Sequence, residues 1–374
     1  MMNHQDVVAR VQRRIAEDPE LADSASLAIL VRQEAHGVIS DVDMISLLRQ
    51  LRYDSVGIGQ LERLLVIPGV TDIVVNGTTG VWFDRGQGLE RADVAFASDD
   101  EVRRLATRFL VASGSRLDHS HCFGDGRITR DDATSIRVHA VLSPPSESGT
   151  CLSLRVLRQA TTTIKQLTAT GTFSPEVAGG LQEMIALRKP FLVVGGTGSG
   201  KTTLLSALLA QVDPGERIVC IEDTAELRPA HPHVVSLVSR AKNTEGSGEI
   251  TMTTLLRQAL RMRPDRIVLG EIRGPEVVDL LAALNTGHEG CAGTLHANSL
   301  QEVPARIEAL AALGGLDRQA LHSQLAAASP VILAMKRTPQ GRRLQQIGVL
   351  QGHPLEVHSV WDDTMQGAPS WNPS

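Results

Sequence analysis

No window of this sequence approaches the roughly 18 uninterrupted apolar residues of a membrane span. Its start, Met1 to Arg13, has no apolar stretch of the kind that drives export. By its own sequence the chain is therefore expected to be neither exported nor membrane-spanning. Cysteine is sparse: Cys122, Cys151, Cys220 and Cys291 stand far apart with no CxxC pair, which excludes a metal or redox motif of that type and a dense disulfide framework. A reducing cytoplasm is the matching compartment. A basic excess is missing too, since 37 Lys and Arg face 42 Asp and Glu for a net charge of -5, and this argues against strong sequence-independent binding to nucleic acid. At 42% apolar and 21% charged the chain is no disordered polymer. Its 374 residues suit two domains of about 100–200 residues each.

The first fifty residues carry apolar positions at helical spacing, as in Val7, Val11 and Ile15, and predict a helical leader over 1–54. Farther on, Pro68-Gly69, the run Ile73-Val74-Val75, Asn76-Gly77 and Val81-Trp82-Phe83 read as strand, turn and strand. A helix is expected over Asp99 to Ala112 with Asp99 or Asp100 as its cap, then strands at Ile136 to Leu142 and Leu152 to Leu157, giving an α+β domain over 55–158. Clustered threonines over 159–172 suggest a linker. The second domain, 173–351, opens with Ser174-Pro175 ahead of an apolar helix. Short apolar runs at Phe191 to Val194, Ile218 to Ile221 and Ile267 to Leu269, separated by helical stretches, are the alternation of a parallel α/β sheet. Residues 352–374 turn rich in Pro, Gly and Ser and read as a mostly flexible tail.

Directly after the run ending at Val194 stands Gly195-Gly196-Thr197-Gly198-Ser199-Gly200-Lys201-Thr202, a full GxxxxGK[ST] match followed by Thr203 and a helical stretch. Such glycines let the backbone wrap phosphate oxygens, and the helix N-terminus adds partial positive charge. Lys201 would reach the β and γ phosphates of ATP, and Thr202 would ligate Mg2+. Carboxylates at neighbouring strand ends are Glu222-Asp223 and Glu271. An isolated acid there is commonly a cap or a solvated group. The shared strand-end context favours Glu271 as the base that activates water, with Glu222 or Asp223 positioning metal or water where Gly270 stands in place of an expected Asp. His288 and His296 lie in one Gly-rich polar stretch and are candidate γ-phosphate sensors, although a lone His is usually structural. Lysine is limited to Lys165, Lys189, Lys201, Lys242 and Lys336 while arginine abounds. Arg137, Arg155, Arg158, Arg240, Arg261, Arg263 and Arg273 are the guanidinium groups best placed for a phosphate clamp or an arginine finger.

Together the stretches Gly195 to Thr203, Ile221 to Leu227, Leu260 to Arg273, Asn285 to Gly290 and Thr294 to Ser299 resemble the traffic ATPases of type II and type IV secretion and type IV pili. The similarity runs over about residues 55 to 350, and the CpaF-type ATPases of tight-adherence (Flp) pilus assembly look like the nearest branch. The resemblance implies an α/β fold in which a RecA-like P-loop ATPase domain follows a smaller α+β N-terminal domain and a helical leader. It assigns Lys201 and Thr202 to a Walker A motif, Glu222, Asp223 and Glu226 to an Asp box, Glu271 to Walker B with Gly normally before it, and His296 to a His box. Arg137, Arg155 and Arg158 look like the N-terminal-domain arginines that reach the nucleotide. Two departures stand out: the paired CxxC insertion of many type II enzymes is absent, and Cys122 to Asp132 matches poorly the hairpin expected before Arg137. The family further implies a homohexamer that is cytoplasmic, peripheral at the inner face of the cytoplasmic membrane, and coupled to an integral-membrane platform protein, so that membrane contact is indirect. A RecA-like nucleic-acid translocase, a conjugative type IV secretion ATPase and a nucleotide-gated ring without turnover are the competing readings.

Overall fold

The computed structural model describes residues 7, 10, 11, 14, 24–34, 44, 58–130, 134–157, 162–240, 242, 247–285, 287–352 and 354–371. The chain divides into two compact units, Met1–Leu157 and Arg158–Ser374. Of the expected leader, α1 (Ser24–Glu34) is described, together with helical Val7, Arg10, Val11 and Arg14, and the Arg10 guanidinium reaches the Glu34 carboxylate at 3.2 Å.

The first unit continues with α2 (Glu62–Leu65), β1 (Asp72–Asn76), β2 (Gly80–Asp84), β3 (Leu89–Arg91), α3 (Asp99–Ala112), β4 (Phe123–Thr129), β5 (Ser135–Val141) and β6 (Cys151–Leu157). The strands form an antiparallel sheet in the order β3-β2-β1-β6-β5-β4. Side chains alternate across it, as strand geometry requires. Ile136, Val138, Leu152, Leu154 and Val156 join α3 residues Val102, Ala106, Phe109 and Leu110 in one core, while Arg137, His139, Ser153 and Arg155 are exposed. The turn at Asn76-Gly77 needs its glycine: φ is 51°, and a Cβ there would meet the Ser148 carbonyl oxygen at 2.4 Å.

Two local expectations change here. Ser98, not Asp99 or Asp100, occupies the N-cap position of α3: its backbone is extended at φ -153°, its side chain makes no capping bond, and the Asp99 carboxylate accepts instead from the Thr150 amide (2.5 Å) and hydroxyl (2.9 Å). Residues 123–129, inside the stretch that matched its expected hairpin poorly, form β4 and pair with β5 position by position.

The second unit contains α4 (Ile164–Ala169), α5 (Pro175–Ala186), β7 (Phe191–Val194), α6 (Lys201–Leu209), β8 (Ile218–Glu222), β9 (Val234–Val238), α7 (Met252–Ala259), β10 (Arg266–Ile272), α8 (Glu276–Leu284), β11 (Ala292–Leu295), α9 (Val303–Leu313), α10 (Arg318–Ala328), β12 (Val331–Thr338), β13 (Gly341–Gln351) and β14 (Glu356–Asp362). The sheet order is β14-β13-β12-β7-β11-β10-β8-β9. The six strands from β12 to β9 run parallel, and β13 and β14 add an antiparallel edge. Helices cover both faces, which explains the uninterrupted apolar strands. Phe191 and Val193 pack with α4, α5 and α6 on one side; Leu192 and Val194 pack with α7 to α10 on the other.

Residues 159–172 are more than a linker, because α4 forms there. Thr163 and Gln166 close a capping box, and Ile164 and Leu167 are buried in the core, so part of the threonine cluster is a helix start. The flexible tail is likewise corrected. β14 lies within 352–374 and pairs with β13, Trp361 and Trp371 are buried in the core, and a Cβ on Gly180 of α5 would strike Pro369 at 2.7 Å. Two large aromatic surfaces removed from water hold this segment down.

Candidate nucleotide site

Four adjacent parallel strands, β7, β11, β10 and β8, end on the same edge of the sheet, and each delivers one part of the site. The loop after β7 leads from Gly195 into α6 at Lys201. Gly195, Gly198 and Gly200 have φ of 150°, 71° and 95°, conformations that side chains resist. Space is short as well: a Cβ on Gly195 would lie 2.3 Å from the Met335 carbonyl oxygen, and one on Gly200 would lie 3.0 Å from Arg342 Cδ. The helix that follows begins without a capping side chain at Gly200, so its first-turn amides face the loop as an anion-binding terminus. Buried Lys201 donates from Nζ to the carbonyls of Gly195 (2.9 Å) and Gly196 (3.0 Å), and Thr202 and Thr203 are half-buried beside it. Ser199 Oγ is buried without a hydrogen-bond partner among the described residues, a polar group poised in the cradle.

The end of β11 carries His296, and the end of β10 carries Glu271. Register shifts between Leu269 and Ile272, a bulge that re-aims the residues within it. Glu271 is then met by His296 Nε2 at 2.7 Å and by the Arg273 guanidinium. Arg273 also stands 3.9 Å from Asp223, and its contact with Glu271 first of all holds its charge more firmly than usual. His296 is held below its ordinary pKa by burial first and by Lys201 second, against the opposing pull of Glu271. Nε2 of His296 stands close to a Glu271 Oε1 that is buried and has no aligned hydrogen-bond donor among the described residues.

Gly270 has a steric explanation: a Cβ there would sit 2.6 Å from Glu222 Cγ, so an Asp at this position would displace Glu222. Glu222 itself is buried, and its Oε1 accepts from the amides of Glu226 (3.0 Å) and Leu227 (2.9 Å), bracing the turn that carries Asp223. Asp223 is half-exposed and accepts from the Ser239 hydroxyl at 2.9 Å.

The two histidines part company. His288 precedes β11 and His296 follows it, so a buried strand separates them and only His296 joins Glu271. Arg240 is occupied by the Gly248 carbonyl at 2.7 Å. Arg137 and Arg155 lie in the first unit as cross-strand partners on the exposed face, with Arg127 opposite Arg137 on the other side. Arg158 and Thr286 lie outside the described residues. Sequence reasoning missed Arg342, which donates to the Gly198 carbonyl at 3.0 Å, and its cross-strand partner Arg337. The signal was present: Lys336-Arg337 and Arg342-Arg343 flank Pro339-Gln340-Gly341 between apolar runs, the pattern of a hairpin.

A glycine-rich loop between a central parallel strand and a helix, with a carboxylate at a neighbouring strand end, defines a RecA-like P-loop domain. The chain belongs to the type II/IV secretion system protein family, whose profile matches residues 54–348. The Mycobacterium tuberculosis protein provisionally named conjugal transfer protein Rv3659c is 55% identical over 326 residues, covering 86% of this chain and 93% of that protein. Conjugal transfer protein TrbB of Rhizobium radiobacter is 32% identical over 215 residues, covering 57% and 64%. Among solved structures, the pilus retraction motor PilT with bound ADP shares the fold at a TM-score of 0.56 and 21% identity, covering 78% of this chain and 81% of that one. The Legionella pneumophila ATPase DotB does so at 0.55 and 20%, covering 75% and 77%. No helix among the described residues is long and apolar enough to cross a membrane.

Proposed function

We propose that this chain is an ATP-hydrolysing motor of a secretion or pilus system, working as a homohexamer at the cytoplasmic side of a membrane against an integral-membrane platform protein. The observation that carries the reading is the meeting of the Lys201 loop, His296 and Glu271 on three neighbouring strand ends of one sheet. In this reading the loop from Gly195 to Thr203 holds the polyphosphate, and Lys201 turns from its own carbonyls to the β and γ phosphates. Glu271 accepts the proton of the attacking water. Its contacts with Arg273 and His296 fix where that carboxylate points, and the Arg273 cation can follow charge as it develops on the γ-phosphate. Mg2+ takes hard oxygen ligands and keeps several waters, so a single hydroxyl and one carboxylate beside the phosphates suit it; Thr202 and Asp223 would hold it, and the ion would neutralise phosphate charge. Glu222 acts from beneath, as the brace of the Asp223 turn. Arg137 and Arg155 are the candidate arginines of the first unit.

The tight-adherence pilus branch and conjugative type IV secretion use the same engine. The names of the relatives in Mycobacterium tuberculosis and Rhizobium radiobacter favour the conjugative branch as the second reading. Steady-state ATP turnover with parallel mass measurement, with and without single-stranded DNA, tests the motor. ATP-dependent hexamers with DNA-independent turnover support it. A monomer stimulated many-fold by DNA makes the chain a nucleic-acid translocase instead.

A further inference from the structure

The backbone that carries Glu271 leaves the regular ladder on both sides. β10 stays in register with β11 at Val268 opposite Ala292 and Leu269 opposite Gly293, and resumes only at Ile272 opposite Leu295. Gly270 and Glu271 therefore share one facing residue, Thr294, which is the two-against-one count of a bulge and locally disrupts the pairing. On the other side, β8 pairs with β10 only as far as Leu269. A general base works only within hydrogen-bond reach of the proton it abstracts, and a misplacement of about 1 Å can cost on the order of 10²-fold in rate. Something other than the ladder has to hold this segment.

Two buried side chains do so. The Thr294 hydroxyl donates to the Gly270 carbonyl at 2.6 Å, across the bulge. Glu276 opens α8, where a carboxylate suits the positive helix terminus, and its Oε1 accepts from the amides of Arg273 (2.7 Å) and Gly274 (2.8 Å). A Cβ on Gly274 would lie 3.0 Å from Glu276 Oε2, so the turn closes tightly on that carboxylate. Between these two points stand Glu271 and the root of Arg273, whose guanidinium reaches back to the Glu271 carboxylate. All three bonds end on backbone atoms, so their effect on the reaction has to pass through where Glu271 points.

From this arrangement we infer that Thr294 and Glu276 are positioning residues for ATP hydrolysis, clamping the two ends of residues 270–274 so that Glu271 keeps its aim: Thr294 fixes the peptide ahead of Glu271, and Glu276 fixes the turn from which Arg273 reaches back. The inference rests on the reading of Glu271 as the base and adds the two residues that aim it.

Phosphate release and calorimetric ATP affinity, measured in parallel on the full chain, separate aiming from binding and folding. Thr294→Val removes the hydroxyl at nearly unchanged shape and is expected to lower turnover about ten- to hundredfold with ATP affinity within about twofold, whereas Thr294→Ser, which keeps the hydroxyl, stays within about threefold of wild type. Glu276→Ala is expected to follow Thr294→Val, and Glu276→Gln, which keeps an acceptor oxygen for the two amides, to retain most of the turnover. Retained ATP affinity shows that each variant has folded; a variant whose affinity falls as far as its turnover overturns the assignment of its residue. In a Glu271→Gln background no base is left to aim, so Thr294→Val and Glu276→Ala should change the residual turnover by no more than about twofold, the non-additivity of groups that act as a unit. Full additional losses in that background overturn the inference. Wild-type turnover in Glu271→Gln overturns the reading of the base, and this inference with it; loss of turnover in Glu271→Gln beside unaffected Thr294→Val and Glu276→Ala overturns this inference alone.

Discussion

The two sheets bury their strands by opposite strategies, and the difference determines where each keeps its chemistry. β7, β8 and β11 are buried at every position, because helices cover both faces of the eight-stranded sheet. Reactive groups have no place along such strands and collect at their ends, where Lys201, His296, Glu271 and Asp223 are found. The six-stranded sheet leaves one face open, so β5 and β6 alternate and their polar residues run along the strands. Arg127, Arg137 and Arg155 thus form one row across three strands, continued by Asp72 and Asp84. Ends reward glycine and bulges; an open face rewards alternation.

The strongest way to break this contrast is to remove the cation that the loop after β7 carries into α6. Lys201→Ala is expected to lower ATP turnover by a factor on the order of 10²–10³, measured by phosphate release; retained turnover would detach the loop from the chemistry. Next in size is Gly270→Ala, whose Cβ would overlap Glu222 Cγ at 2.6 Å. Denaturant unfolding should show a loss of about 1–3 kcal/mol, the usual result of overpacking a tight site. Ser153→Ala on the open face of β6 is the matched control, with a change within about 0.5 kcal/mol. Arg137→Ser sharpens the comparison further, since it removes a charge that faces Arg127 and Arg155 at once. Stability should hold or rise by up to about 0.5 kcal/mol, and a clear loss would mean the row is internally compensated.

The smallest effect concerns pH. His296 titrates below its ordinary 6.5, with burial the leading cause. The unfolded chain therefore takes up this proton at a higher pH than the folded chain, so stability is lost as pH falls from 6.5 through the lowered folded value. Unfolding measured across that range should be less steep for His296→Asn than for the wild type; equal slopes would assign the dependence to other groups.

Much of the site could be read from the sequence because its parts are local. The loop from Gly195 to Thr202 is one contiguous motif between a strand and a helix, and Glu271 and Asp223 each close a short apolar run. The same reasoning reached α3 at its observed bounds and β1, β2, β5 and β6 to within a residue or two, since apolar period and turn residues agree there. It missed what long-range packing decides. Trp371 is drawn into the core from a stretch whose Pro and Gly content suggests a loose tail, and α4 is fixed by a cap hidden in a run of threonines. Arg342 meets Gly198 across 144 residues, and the buried Glu222 accepts from two amides of the turn that follows it, contacts that no sequence pattern announces.

The central claim is that the carboxylate of Glu271 performs a step that binding does not need. Parallel measurement of ATP affinity and phosphate release in Glu271→Gln tests it directly. Affinity close to wild type with turnover reduced by about 10²–10⁴ is the expected result; wild-type turnover in that variant would contradict the account.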